Sequence, residues 1–178
     1  MMAADGMTQI SVRLHEGVLR ALTAEAARRG FEVADFAQMV LQEHIAPALE
    51  DRDLAERLVA EAEIKEAAAR LAREFSPANA FDPHVTLKVF QCIRERPNLL
   101  RAYLKAIGGG TGYERGNHRK ARLNRAIGST VRTAVGASST ANTGNVMSVT
   151  VSGELCFSYT VLHPASFPPS GPGCAGIR

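Results

Sequence analysis

The sequence predicts a mainly α protein of α+β class, with one strand near its start, a succession of helices, and a small β-hairpin near its end. Three observations carry that expectation. Residues 8–14, TQISVRL, alternate apolar and polar side chains with period two, as a strand with one buried face does. From His15 onward, apolar residues recur at helical spacing in one segment after another as far as residue 135. Beyond a polar loop at 137–145, the runs VMSVTV and ELCFSYTVL flank Ser152-Gly153, which predicts a hairpin over 146–162 with a two- or three-residue turn.

The strand at 8–14 puts Ile10, Val12 and Leu14 on one side and Gln9, Ser11 and Arg13 on the other. A single short strand cannot pair its backbone groups or bury its face alone, so pairing with the same strand of a second copy is expected. In the next segment Val18, Leu22 and Ala26 recur every four residues. That helix should stop at Arg29-Gly30, where glycine suits the left-handed position after a helix. A second helix follows, with Phe36, Val40 and Ile45 as its stripe and Leu41 beside it. The expected core of the dimer is Ile10, Val12, Leu14, Val18, Leu22, Phe36 and Val40.

This order of elements resembles the ribbon-helix-helix superfamily of DNA-binding proteins, of the Arc, MetJ and CopG type, over about residues 7–46, which places such a domain at 7–47. The matching positions are Leu14, Glu16, Val18, Leu19, Leu22, Ala26, Arg29, Gly30, Asp35, Phe36 and Leu41. His15 stands where the family commonly has proline, and Glu32 and Ala34 stand where it often has Ser or Thr. The resemblance implies an intertwined homodimer whose antiparallel ribbon enters the major groove of double-stranded DNA. Gln9, Ser11 and Arg13 would read base edges, and the start of the second helix, at Phe31, Glu32 and Val33, would face a phosphate.

The charge is unevenly spread. Residues 1–47 carry net −2, 48–76 net −3, 77–112 net +3 and 113–135 net +5. Because DNA affinity rests mostly on phosphate neutralisation, the positive downstream region matters to any DNA reading. Residues 48–76 predict a long acidic amphipathic helix, rich in Ala, Glu, Leu and Arg, which either packs on its own domain or engages a partner protein. Ser76-Pro77-Ala78-Asn79 marks a boundary, and 77–162 reads as a helical unit. In it, Asp82 caps a helix with Pro83 at its first position, carrying Val85, Val89 and Ile93 inward. Pro97 starts another helix, with Leu100, Tyr103 and Leu104 apolar. The glycine run 108–112 lacks the Gly-Lys-Ser/Thr ending of a phosphate loop and reads as a linker.

A basic helix is expected over 117–135, capped by Asn117. Leu123, Ile127, Val131 and Ala134 form its apolar stripe, and Arg119, Arg122, Arg125 and Arg132 are expected together on the other side. Such a face either meets phosphate or is a solvated surface. The tail 163–178, rich in Pro, Gly and Ser, is expected to be disordered.

Other chemistries find little footing. The five histidines are scattered, with no ligand partner at helical spacing, so no metal site is expected. No serine sits in a nucleophile elbow, and Cys92 lies within an apolar helix pattern. No catalytic residues and no cofactor are expected. Cys92, Cys156 and Cys174 are odd in number and widely spaced, which points to the reducing cytoplasm. No run is long and apolar enough to span a membrane, and residues 1–10 lack a signal-peptide pattern, Met7 being an alternative start. The sequence therefore leads to a homodimeric transcriptional regulator, with two rivals: an antitoxin-type protein whose region beyond residue 48 binds a toxin, and a dimerisation or assembly protein that binds no DNA.

Overall fold

The computed structural model describes residues 11–77, 80–139 and 146–164. It is mainly helical, with β1 (Ala137–Ser138), β2 (Ser148–Thr150), β3 (Ser158–Thr160) and β4 (His163–Pro164) after six helices. These helices are α1 (Glu16–Arg29), α2 (Val33–Ile45), α3 (Arg52–Phe75), α4 (Val85–Glu95), α5 (Pro97–Ala106) and α6 (His118–Ala134), with a single 3₁₀ turn at Ala46–Ala48.

α3 is the central element, and its sequence explains why. Ala60, Ala67, Ala68 and Ala72 are buried along it, so α5 and α6 approach its backbone closely while Ile64 and Leu71 fill the space between. Val85, Val89, Phe90 and Ile93 of α4, Leu99 and Tyr103 of α5, and Leu123, Ile127 and Val131 of α6 complete the main core. Tyr103 is fully buried, and its hydroxyl donates to Asn124 Oδ1 at 2.8 Å, while Asn124 Nδ2 donates to the Leu155 carbonyl at 3.1 Å. The polar end of each side chain is therefore satisfied inside the core. Asp51 and Asn117 cap α3 and α6, accepting from the amides of Leu54 and Lys120. At α4 the expected cap is displaced. Asp82 accepts from the His84 amide, and the helix begins only at Val85.

The expectation for the N-terminal segment is met in its helices and not in its strand. α1 ends where Gly30 takes φ 83°, and α2 follows after a tight turn. Residues 11–14 have no regular structure in the single chain, and residues 8–10, with Gln9 and Ile10, lie outside the described residues. A strand needs a partner for its backbone groups, and the described residues of the single chain offer none to residues 11–14.

The hairpin also differs in detail. β2 and β3 pair antiparallel, Val149 opposite Tyr159, but the connection at 151–157 is longer than a tight turn. The reason lies in Leu155 and Cys156, which leave the ladder to enter the main core. A second ladder joins β1 to β4, with Ala137 opposite Pro164. His163 and Pro164 thus belong to the fold rather than to a disordered tail, whose remainder at 165–178 lies outside the described residues.

Candidate nucleic-acid interface

The α1–α2 hairpin is anchored at one end and open at the other. Near the turn, Ala26, Phe31, Phe36 and Met39 are buried against Ala62 and Ala69 of α3, with Leu22, Val33 and Ala134 packed around them. Phe36 is therefore part of one chain's own core, 3% exposed. Met39 shares that position and is absent from the apolar stripe read in the sequence, although its spacing of three from Phe36 marks the same helix face. Arg29 ties the hairpin to α3. It donates to Glu66 at 2.7 Å and to Glu25 at 2.8 Å, with its guanidinium 5.4 Å from the Phe36 ring centre.

At the open end the picture reverses. Val12, Leu14, Val18, Leu19, Val40, Leu41 and Ile45 are all exposed, Val12 by 62% and Leu41 by 53%. These residues come from the segment before α1, the first half of α1 and the second half of α2. Ser11 and Arg13 are exposed beside them. His15 caps α1 by accepting from the Gly17 amide through Nδ1 at 3.2 Å.

The start of α2 is partly occupied. Phe31 is buried against Phe36, and the Thr133 hydroxyl of α6 donates to the exposed Glu32 carboxylate at 3.1 Å. A Cβ at Gly30 would lie 2.9 Å from Ala134, so the turn and the end of α6 fit together only with glycine there.

The four arginines of α6 do not form one face. At about 100° per residue, Arg119 falls only about 40° from Leu123, beside the apolar stripe, whereas Arg125 and Arg132 share one direction. The expectation of a single arginine face is corrected accordingly. Arg119 lies against Gly108 in a cleft with Asp51, Asp53 and Glu56, and Arg122 pairs with Glu61 at 3.1 Å. Arg125 and Arg132 have no carboxylate partner among the described residues. They line a groove between α6 and the β2–β3 hairpin. Lys120, expected on no face, is buried. Its ammonium lies 4.1 Å from the Phe157 ring centre, and burial pushes its pKa below the usual lysine value.

The glycine run closes on an anion supplied by the chain itself. The Thr111 amide and hydroxyl both donate to Glu114, at 2.6 and 2.8 Å. These donors hold the carboxyl down at about 2. A scan against protein-family models, a search of curated proteins and a search of solved structures each found no match. The reading of this surface therefore rests on its own geometry. Among the described residues no three His, Cys, Asp or Glu side chains converge to hold a metal ion, and no helix is long and apolar enough to cross a membrane.

Proposed function

We propose that the chain is a homodimeric double-stranded-DNA-binding transcriptional regulator, with an N-terminal ribbon-helix-helix unit that two copies complete together. The observation that carries this reading is the uncovered apolar surface at the open end of the α1–α2 hairpin. Apolar surface taken out of water stabilises by about 25 cal/mol per Å². A second copy brings the same apolar residues and its own segment 8–14, of which residues 11–14 have no regular structure in the single chain. Antiparallel pairing of the two segments would satisfy their backbone groups and direct Val12 and Leu14 inward. Gln9, Ser11 and Arg13 then alternate to the outer side of the ribbon, where Arg13 suits guanine and Gln9 adenine. This reading assigns the protein no catalysis and no cofactor. It implies the cytoplasm as compartment, which suits the unpaired thiols of Cys92 and Cys156.

Selection of bound duplexes from a random DNA library by the full chain tests it. The expected outcome is enrichment of a sequence with two-fold symmetry, and loss of that enrichment in Arg13→Ala. A library that stays random after repeated rounds contradicts the reading.

The antitoxin alternative fares worse. An antitoxin tail orders on its toxin, whereas α3 here is already covered by α4, α5 and α6. The assembly reading shares the dimer and differs only in lacking DNA, so a stable dimer with no enriched sequence would favour it.

A further inference from the structure

The groove between α6 and the β2–β3 hairpin has the makings of a site for a small anion. Its volume is about 440 Å³, within the usual range of roughly 300–1,000 Å³ for small-molecule pockets. Arg125 and Arg132 enter from one side of α6, two turns apart and so about 10 Å along the helix axis. Among the described residues, Arg125 Nε donates to the carbonyl of Ala121 and Arg132 Nη2 to the Ser129 hydroxyl, both at 3.3 Å, and neither arginine meets a carboxylate. With respect to the described residues, most of the guanidinium hydrogen-bonding capacity of both is therefore uncommitted. No Asp or Glu lines the groove among the described residues, whereas Arg119 and Arg122 on the same helix lie against acids of α3.

The remaining walls supply further donors. Thr86, Ser139, Ser158 and Thr160 place hydroxyls around the groove, whereas the Ser148 hydroxyl is engaged with the Tyr159 carbonyl and the Asn124 amide with the Leu155 carbonyl. Guanidinium forks match phosphate oxygens in shape and charge, and hydroxyls complete the shell without repelling an anion. The groove is concave and walled by the hairpin, which suits an enclosed small molecule better than the convex backbone of a duplex.

We propose that this groove binds a phosphorylated small molecule of about mononucleotide size, with Arg125 and Arg132 holding its phosphate oxygens. The site stands independently of the DNA reading, since it uses no residue of the N-terminal unit. If that reading holds as well, the ligand has a route to the DNA-binding unit. α6 runs from the groove to Thr133 and Ala134, which touch Glu32 and Gly30 at the α1–α2 turn.

Isothermal titration calorimetry of the full chain, without DNA, tests the proposal with inorganic pyrophosphate and 5′-mononucleotides as probes. At least one probe should bind saturably at one site per chain. Arg125→Gln and Arg132→Gln should each weaken it tenfold or more, Arg132→Lys less, and Arg101→Gln on the exposed side of α5 should leave it unchanged. The melting temperatures of the unliganded variants should match that of the unaltered chain, which separates a weakened site from a damaged fold. No saturable binding of any probe, or equal binding by the double variant that combines Arg125→Gln with Arg132→Gln, overturns the proposal. Should that double variant then bind duplex DNA more weakly, the two guanidiniums belong to the DNA backbone instead.

Discussion

Phe36 and Leu41 sit five residues apart on α2 and belong to different surfaces. Phe36 is enclosed by Ala26, Met39 and the alanines of α3, while Leu41 faces water in the single chain. Phe36→Ala leaves a cavity within one chain, so it should lower unfolding stability by about 3–5 kcal/mol. Urea unfolding checks this, and a loss below about 1 kcal/mol would mean that the hairpin is not anchored on α3. Leu41→Lys should instead spare the fold and weaken self-association. Arg13 belongs to the outward side of the proposed ribbon. Its replacement by Ala should weaken binding to the selected duplex by about 1–3 kcal/mol for each bidentate guanidinium–base pairing it removes. Equal weakening on random duplex would reduce Arg13 to a phosphate ligand. The Phe36 and Leu41 roles were only half legible in the sequence, because the apolar pattern of α2 runs around much of the helix. Periodicity names the apolar residues of a helix and does not say which of two partners covers them.

Two connecting segments illustrate what local pattern does and does not reveal. Asn117 and the Arg29-Gly30 stop were legible because caps are local chemistry, settled within three or four residues. The turn of the β2–β3 hairpin was not, because Leu155 and Cys156 answer to the distant core rather than to the turn. The glycine run reads as a linker in sequence, yet its amides fold around Glu114. That carboxyl titrates well below its ordinary value of 4.5, at about 2. A lowered carboxyl contributes stability that is present above about pH 4.5 and is lost as pH falls toward about 2. Glu25 is held down to about 2 by Arg28 and Arg29 and acts in the same window. Glu114→Gln should therefore flatten the acid side of a plot of urea midpoint against pH between about 4.5 and 2. An unchanged acid limb would show that the loop carboxylate adds nothing to the folded state.

Over the whole molecule, the uneven charge of the sequence becomes an internal match. The acidic helix α3 is met by the basic segments after it: Lys105 pairs with Glu56 at 2.6 Å and Arg122 with Glu61 at 3.1 Å. From the other side, Arg29 pairs with Glu66 at 2.7 Å. The exposed pairs, Lys105–Glu56 and Arg29–Glu66, each contribute about 0–1 kcal/mol, so they set how the helices face one another more than how stable they are, whereas Glu61 is buried and also pairs with Lys65 at 2.7 Å. Net charge per segment was legible from the sequence, but its destination was not, since that depends on which helices touch. With part of the downstream charge engaged inside the chain, the proposed DNA-binding surface keeps few cations. Arg13 and the loosely paired Arg20 from each of two chains would neutralise about four phosphates, so log K against log salt should fall with a slope no steeper than about −4. A markedly steeper slope would bring the α6 arginines onto the DNA.

The anchoring of the hairpin on α3 also decides how disrupted dimers behave. Because Phe36 and Met39 are buried within one chain, Val12→Glu should yield a monomer that keeps its helices rather than an unfolded N-terminal unit. Sedimentation velocity on the full chain at micromolar concentration, with a labelled duplex recovered by selection, joins this point to the proposed function. The unaltered chain should sediment as a dimer and load onto the duplex in even numbers. Val12→Glu should sediment as a helical monomer that leaves the duplex free. A chain that remains monomeric at those concentrations, or loads onto the duplex one copy at a time, would contradict the shared ribbon.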